Sequence, residues 1–237
     1  MTMRLDKLLT TVGLASRSEA AKAAKRGLIK VNGIVVSKAD CKVDPETDSV
    51  EYMGKTVSYR RYVYIMMNKP SGVVSSTDGK DGDTVISLLP DELQKCGLFP
   101  CGRLDKDTVG LLIITNDGST AHYLLSPKRH VSKIYHLKTA LPVTSSDIKM
   151  LENGVQLDHG DVARPAKVEQ TGENELYITI VEGMYHQIKR MLEAVNNKVT
   201  FLERVEFGTL PLDTSLKRGE WRYLTEQEID VLLKQTK

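Results

Sequence analysis

The chain has 237 residues, of which 41% are hydrophobic and 27% are charged, and its formal net charge is +2. This composition argues against intrinsic disorder, and the length suffices for one large domain or two smaller ones. Apolar runs such as residues 111–114 are far too short to span a bilayer, and no apolar segment follows a basic start, so we expect a cytoplasmic protein without a membrane segment.

Positive charge is concentrated at the amino-terminal end of the chain. Residues 1–60 contain eleven Lys or Arg against seven Asp or Glu, a net charge of +4, which leaves −2 for residues 61–237. Within residues 1–42 the counts are nine and three. This asymmetry indicates a separate module that binds a polyanion.

The first elements in chain order are two helices. Leu5, Leu8, Leu9 and Val12 stand at positions i, i+3, i+4 and i+7 and so form one apolar stripe, which predicts the first helix. Gly13 is placed to end this helix. Ser16 and Glu19 form the capping-box pattern S-x-x-E at the start of a second helix over residues 17–26, and Gly27 supplies its C′ position. Asn32 and Gly33 then predict the turn of a β-hairpin.

The second helix and the hairpin carry basic side chains, which by charge alone fit a solvated helix face as well as an RNA-binding surface. The strings RLDKLL, SRSEA and GLIKVNG, in this order, resemble the α-L motif of S4-like RNA-binding domains. The resemblance implies an RNA-binding domain at residues 1–59, which contacts phosphates through Arg17, Lys22, Lys25, Arg26 and Lys30. Phosphate contacts give affinity and orientation but little sequence information.

Residues 60–237 alternate strand and helix patterns after a polar junction at residues 58–61. We predict a closing strand over residues 50–57, a strand over residues 62–67, a short helix over residues 84–90, and a later helix with its N-cap at Ser145 or Ser146. The helix HQIKRMLEAV presents four apolar residues on one face, Ile188, Met191, Leu192 and Val195. The mixture predicts an α+β domain with a mixed, mostly antiparallel sheet.

Asp105 stands just ahead of an apolar run, beginning at residue 109, that reads as a buried strand. A carboxylate at a strand entry usually caps backbone N–H groups, and Asp107 fits that role in a local K-D-T turn. Around Asp105, by contrast, Leu104 and the following VGLLII run provide an apolar wall, which favours a reactive carboxylate.

Three motifs, KPSG at residues 69–72, GRLD at 102–105 and EGMYHQIKRM at 182–191, resemble in order those of the RsuA family of pseudouridine synthases, which act on ribosomal RNA. The resemblance implies that Asp105 is the catalytic aspartate, that Tyr135 stacks on the target base and that Lys189 pairs with the aspartate. It further implies substrate or RNA contacts by Lys69, Arg103, His186, Gln187 and Arg190. The reaction breaks the bond from ribose C1′ to uracil N1 and re-attaches the base through C5.

The residue types agree with this chemistry. A carboxylate serves as a nucleophile towards base or sugar, or as a proton acceptor, and each of these three roles, which the sequence leaves open, needs the ionised form in a dry pocket. A nearby ammonium stabilises the charge that burial disfavours. An aromatic ring offsets part of the cost of unstacking a uridine. No cofactor and no metal site is expected.

The strings GRLDKDT, LLSPKRHV and DHGDVARPAKV are most similar to the family members that modify uridine 516 of 16S rRNA. We therefore expect 16S rRNA or a small-subunit assembly intermediate as the partner of a monomeric enzyme. Two alternatives stay open at this point: a large-subunit 23S rRNA pseudouridine synthase, and a non-catalytic rRNA-binding assembly factor. A glycosidase using Asp105 and Asp107 fits less well because aromatic residues are only 5% of the chain.

Overall fold

The computed structural model describes residues 2–234, and the chain divides into two compact units. The first unit contains the residues up to Val63 together with Ile86–Phe99, and the second contains Tyr64–Val85 together with the residues from Pro100 onward. The first break lies close to the division predicted after residue 59. The return of residues 86–99 to the first unit was not predicted from the sequence.

Gly13 shows how closely these two parts of the first unit approach each other. The residue has φ +74°, and a Cβ atom built on it would lie 2.1 Å from the carbonyl oxygen of Glu92. Any other residue would therefore force the backbone around Glu92 away. The glycine that ends the first helix thus also makes room for the segment that returns to this unit.

The first unit contains three helices and two small sheets among the described residues. In chain order its elements are β1 (Met3–Arg4), α1 (Leu5–Thr11), α2 (Arg17–Lys25), β2 (Ile29–Val31), β3 (Ile34–Val35), β4 (Lys42–Val43), β5 (Val50–Tyr52), β6 (Lys55–Thr56) and α3 (Asp91–Gln94). Strand β1 pairs with β4, and the other four strands form a sheet in the order β3-β2-β5-β6. The predicted capping box of α2 and the predicted hairpin turn at Asn32 and Gly33 are both confirmed.

Two predicted elements in the neighbourhood of the unit boundaries are wrong. Residues 50–57 form a hairpin, β5 and β6, because Met53 and Gly54 both take positive φ values of 51° and 80° and reverse the chain. Residues 84–90 are not a helix. The N–H of Val85 donates to the carbonyl of Val74 at 3.0 Å, which is extended pairing, and Pro90 disfavours the helical conformation of the residue before it.

The second unit is built around a mixed sheet. Its elements are β7 (Tyr64–Lys69), β9 (Val109–Thr115), α4 (Gly118–Leu125), β10 (Lys133–Thr139), α5 (Ser145–Asn153), β11 (Lys167–Gly172), β12 (Glu175–Ile180), α6 (Gln187–Ala194), β13 (Val199–Phe207), β14 (Leu210–Pro211), β15 (Trp221–Tyr223) and α7 (Glu226–Lys234). The short strand β8 (Phe99–Pro100) lies where the chain enters this unit for the second time. The main path of the sheet runs β11-β12-β10-β13-β9-β7-β15.

The predicted fold class, α+β with a mixed, mostly antiparallel sheet, is confirmed. The pairing of β9 with β13 is parallel, whereas the other pairings along this path are antiparallel. Strands β7 and β9 are buried along their whole lengths, as their continuous apolar sequences require. Gly110 permits the close parallel contact, since a Cβ atom there would lie 2.3 Å from the carbonyl oxygen of Arg204.

Two helices of this unit bear on the predictions. The N-cap of α5 is Thr144, one residue before the predicted position, because Thr144 and Asp147 together form a capping box. Helix α6 buries Ile188, Met191 and Leu192 on one face, as predicted, and so fixes the opposite face towards solvent. Within residues 2–234, no helix has both the length and the apolar character needed to cross a membrane.

Candidate active site

Asp105 lies in the loop immediately before β9, and this loop is fixed by hydrogen bonds on both sides of the residue. The Oγ atom of Ser75 donates to the carbonyl of Leu104 at 2.9 Å and accepts from the N–H of Leu104 at 3.0 Å. The N–H of Thr108 donates to the carbonyl of Asp105 at 3.1 Å. The carboxylate is therefore mounted on a backbone that is held in one conformation.

Lys69 supports the same loop from inside the protein. Its ammonium donates to the carbonyls of Thr108 at 2.8 Å, Asp105 at 3.0 Å and Lys106 at 3.3 Å, and to its neighbour Pro70 at 3.1 Å. Burial lowers the pKa of Lys69 to about 8, and the charges of Asp107 and Asp105 oppose this effect. The predicted RNA contact by Lys69 is wrong, because the residue is 0% exposed and its donors are used inside the fold.

Lys189, in the first turn of α6, brings a positive charge to the catalytic loop. Its Nζ atom lies 3.2 Å from Oδ2 of Asp105, and also 2.7 Å and 2.9 Å from the two carboxylate oxygens of Asp107. Burial acts to lower the pKa of Lys189, but its hydrogen bonds to Asp107 and Asp105 outweigh burial and raise the pKa above its ordinary value. Lys189 is therefore a permanent cation at neutral pH.

Asp107 is the partner that sequence reasoning missed. It was interpreted as part of a local turn, whereas its carboxylate accepts both of the short hydrogen bonds from Lys189. Burial acts to raise the pKa of Asp107, but the hydrogen bond and the charge of Lys189 prevail and lower it. The spacing D-x-D could have suggested two carboxylates around one cation, but only the fold shows which cation.

His186 completes the polar surroundings of Asp105. Its Nε2 atom lies 3.6 Å from Oδ1 of Asp105, and its side chain is part of the pocket wall. The residue precedes α6 with a left-handed backbone, φ 48° and ψ 32°. The carboxylate of Asp105 is thus flanked by an ammonium and an imidazole, and its side chain is 26% exposed.

The three predicted catalytic residues line one pocket. Tyr135, on β10, is buried, and it reaches this pocket from a different strand than Asp105 does. Arg103, which is exposed, lies at the same pocket. The wall is formed by Arg103, Leu104, Asp105, Thr108, Tyr135, Ile180, Gly183, Met184, His186, Gln187, Ile188, Lys189 and Leu202. Residues distant in sequence therefore meet at one pocket.

Two other predicted RNA contacts have structural partners. Gln187 is 4% exposed, and its amide donates to Glu182 at 2.9 Å and accepts from the N–H of Met184 at 3.1 Å. It therefore ties the loop before α6 together with both polar atoms of its amide, while its side chain also lines the pocket, and its contact with substrate or RNA stays a prediction.

Arg190 faces the loop around the short turn at residues 158–160. Its guanidinium pairs with the carboxylates of Asp158 and Asp161 and donates to the carbonyl of Tyr185 at 3.3 Å. These hydrogen bonds raise the pKa of Arg190. The predicted RNA contact is not supported, since two carboxylates already neutralise this cation and its side chain is only 11% exposed.

The predicted phosphate contacts of the first unit lie at its surface. Helix α2 buries Ala20, Ala23 and Ala24, and its basic side chains point away from that face. Exposed side chains include Arg17, Lys22, Lys25, Arg26 and Lys30. Lys30 has an acidic neighbour, Glu51, at 3.5 Å, so the helix carries the stronger positive potential.

A buried arginine on β13 was not predicted. Arg204 is 2% exposed, lies opposite Tyr135 in the strand register and donates from Nε to the carbonyl of Leu111 at 2.8 Å. Its guanidinium carbon lies 5.2 Å from the centre of the Phe207 ring. Nothing in an otherwise ordinary strand pattern marks this cation as buried. Across residues 2–234, no three His, Cys, Asp or Glu side chains are grouped as metal ligands.

Comparison with known proteins gives two family matches. Residues 63–194 match the RNA pseudouridylate synthase family, and residues 3–49 match the S4 domain. The chain is 44% identical to an uncharacterized RNA pseudouridine synthase, YtzG, of Bacillus subtilis, over 97% of this chain and 98% of that protein. It is 40% identical to ribosomal small subunit pseudouridine synthase A of Escherichia coli, over 96% and 98% of the two chains. A crystal structure of a pseudouridylate synthase superposes with a TM-score of 0.69 at 36% identity, covering 97% and 99%.

Proposed function

Since the chain belongs to the RNA pseudouridylate synthase family and carries an S4 domain ahead of the synthase region, we propose that it isomerises one uridine of ribosomal RNA to pseudouridine. The finer proposal is uridine 516 of 16S rRNA, with Asp105 as the catalytic carboxylate. Relatives from Escherichia coli and Vibrio cholerae named ribosomal small subunit pseudouridine synthase A, each 40% identical over 96% of this chain, support the small subunit as the source of the substrate.

One observation carries the catalytic proposal: the carboxylate of Asp105 lies 3.2 Å from the ammonium of Lys189 in a pocket that Tyr135 also lines. The ion pair stabilises the ionised carboxylate in surroundings that exclude much of the solvent. In that form Asp105 adds to the base or the sugar, or accepts a sugar proton, as the bond from C1′ to N1 breaks. The uracil then turns and joins C1′ through C5; C5 loses its proton and N1 gains one, so the composition of the nucleotide is unchanged.

The pocket favours an extruded base over a base in a duplex. A nucleotide must leave its stack before its glycosidic bond can reach Asp105, and this costs a few kcal/mol. The ring of Tyr135 offers a stacking surface beside the carboxylate, and such a contact returns about 1–3 kcal/mol. Tyr135 therefore serves to hold the uracil while it is detached from the ribose.

The first unit contributes affinity in this proposal. Its exposed basic side chains on α2 are suited to phosphate contacts, which are strong, dependent on salt and nearly independent of sequence. Choice of the uridine then depends on the second unit and on the fold of the RNA. The enzyme is proposed to act as a monomer, because Asp105, Tyr135 and Lys189 all come from one chain.

The test is a map of pseudouridines in rRNA from cells with and without the gene. We expect one pseudouridine in 16S rRNA, at position 516, to disappear on deletion and to return when the wild-type gene is restored. Restoration with Asp105→Asn should leave the site as uridine, although the variant protein is present in equal amount and binds rRNA as tightly. Full modification by Asp105→Asn would refute the catalytic role of Asp105.

The same map separates the alternatives. Loss of a pseudouridine from 23S rRNA would replace the small-subunit proposal with a large-subunit synthase. An unchanged pseudouridine map, accompanied by accumulation of immature ribosomal particles, would identify a non-catalytic assembly factor and refute the enzymatic proposal.

A further inference from the structure

Tyr185 combines a high exposure with a position next to the catalytic residues. It is 77% exposed, the highest value among the large apolar side chains within residues 2–234. An exposed aromatic ring beside the pocket offers a flat apolar face to a molecule that enters the site. Tyr185 itself does not line the pocket, whereas its neighbours Met184 and His186 do.

The ring of Tyr185 stacks on the imidazole of His186. The two ring centres are 3.8 Å apart and the planes are inclined by 17°. His186 in turn lies 3.6 Å from the carboxylate of Asp105. The three side chains therefore form a row that leads from the reacting carboxylate to the outside of the pocket. His186 covers one face of the Tyr185 ring, and the rest of the Tyr185 side chain is exposed to solvent.

The loop that carries Tyr185 is anchored at several points. The guanidinium of Arg190 donates to the carbonyl of Tyr185, and it is itself paired with the carboxylates of Asp158 and Asp161. The preceding residue, Met184, provides a second anchor, because its N–H donates to the side-chain oxygen of Gln187 at 3.1 Å. An exposed ring on an anchored backbone is preorganised, so a ligand that stacks on it pays little to order the protein.

We propose that Tyr185 is the stacking platform for the nucleobase that adjoins the target uridine, so that it binds the RNA flank outside the pocket while the pocket holds the extruded base. This inference rests on the proposed function, because it takes an RNA strand as the substrate. Every nucleobase has a π-face, and a flat, exposed aromatic ring is suited to stack on it. When the target uridine is extruded, the neighbouring base loses a stacking partner, and stacking of that base on Tyr185 offsets part of this cost.

The test compares Tyr185→Leu with Tyr185→Phe in the full-length protein. Leucine keeps an apolar side chain of moderate size but removes the flat ring, whereas phenylalanine keeps the ring and removes only the hydroxyl. The substrates are 16S rRNA and small-subunit particles from cells that lack the gene. We expect Tyr185→Leu to raise KM by about 5- to 150-fold with kcat within twofold of wild type, since this is the range for one base–aromatic stack.

Tyr185→Phe should stay within twofold of wild type in both constants, and thermal unfolding checks that both variants fold. A decrease in kcat for Tyr185→Leu without a change in KM would overturn the proposal, because the tyrosine would then act only by positioning His186. Unchanged kcat and KM in Tyr185→Leu would overturn it as well.

A second measurement reports stacking without turnover. A 16S rRNA fragment carries 2-aminopurine immediately 5′ or immediately 3′ of the target uridine, and its fluorescence is followed as Asp105→Asn protein is added. We expect the fluorescence to be quenched at one of the two positions. The quenching should be retained when Tyr185→Phe is added to the Asp105→Asn protein, and it should be lost when Tyr185→Leu is added instead. Quenching that is equal for all three proteins would overturn the platform. Quenching that depends on Tyr185 in a protein whose wild type forms no pseudouridine would refute the proposed function and leave the platform supported.

Discussion

The ammonium of Lys189 is shared between two carboxylates and lies nearer to Asp107, at 2.7 Å, than to Asp105, at 3.2 Å. The side chain of Asp107 is 69% exposed, whereas that of Asp105 is 26% exposed. The outer carboxylate therefore anchors the cation from the solvent side, and the inner carboxylate uses the same cation to keep its charge. One positive charge serves two acids, so the group as a whole is negative.

From this sharing we expect Asp107→Asn to reduce activity without abolishing it. Asparagine keeps one acceptor oxygen but removes the charge and one of the two hydrogen bonds that orient Lys189, which is worth about 1 kcal/mol, while the contact to Asp105 remains. We predict a decrease in kcat of about tenfold in single-turnover assays on rRNA. A loss as complete as that of Asp105→Asn would show that Asp107 is itself a reagent, contrary to this prediction.

Replacement of Lys189 should have a larger effect. Lys189→Met leaves Asp105 and Asp107 without their shared cation, and we predict a decrease in kcat of more than about 100-fold, since removing one partner of a partly buried ion pair costs about 3–5 kcal/mol. Lys189→Arg keeps the charge and should retain a measurable part of the activity. Equal activities of the methionine and arginine variants would contradict a role based on charge.

Lys69 offers a test of loop support. Its buried ammonium holds four backbone carbonyls, so Lys69→Met should lower the free energy of unfolding by about 3 kcal/mol and also lower kcat, because the loop of Asp105 loses its anchor. Urea denaturation and single-turnover kinetics measure the two effects. Lys106→Met, at an exposed position in the same loop, is the matched control. It should change the free energy of unfolding and kcat much less than Lys69→Met does. A stable, fully active Lys69→Met protein would refute this role.

Asp117 predicts a dependence of stability on acid pH. Burial acts to raise the pKa of Asp117, but hydrogen bonds from Ser119, Thr120 and Tyr64 outweigh it and lower the pKa to about 2. Between about pH 4 and pH 2 the unfolded chain thus binds a proton that the folded chain does not, so stability falls as the pH falls. The change attributable to Asp117 is about 2 kcal/mol.

The measurement for Asp117 is the free energy of unfolding across this pH range, for wild type and for Asp117→Asn. The variant is less stable at neutral pH, and its stability should depend less steeply on pH by the amount attributed to Asp117. Parallel pH profiles for the two proteins would show that Asp117 does not titrate in this window.

Charge on α2 predicts the salt dependence of RNA binding. The double variant Lys22→Gln/Lys25→Gln should weaken rRNA binding. It should also make the slope of the logarithm of the binding constant against the logarithm of the salt concentration less negative by roughly 1–2, because each lost phosphate contact changes this slope by about 0.9. Lys149→Gln, an exposed substitution on α5, should leave the slope unchanged. Point variants are preferable to removal of residues 1–60, since Ile86–Phe99 belongs to the same unit and would lose its support.

The local features of this chain were readable because their physical causes are local. The capping box of α2, the Asn32–Gly33 turn and the apolar face of α6 depend on residues within a few positions of each other. The helix predicted over residues 84–90 is an error of a different kind, because residues outside that segment decide its conformation. Residues 84–90 are extended at their start because Val74 accepts a hydrogen bond from Val85, and Pro90 limits the other end.

The same distinction holds for the site. The resemblance to the family indicated Asp105, Tyr135 and Lys189, and the fold brings these residues to one pocket. The sequence could not show that Lys69 and Gln187 are buried, because burial depends on how the loops at both ends of the sheet pack on the strands. Nor could it show that Lys189 binds Asp107 more closely than Asp105, or that Tyr185 projects outward. Residue types and spacing determined the chemistry available to this protein, whereas three-dimensional packing decided which side chains face the substrate, because charge and burial act through distances that the chain order does not contain.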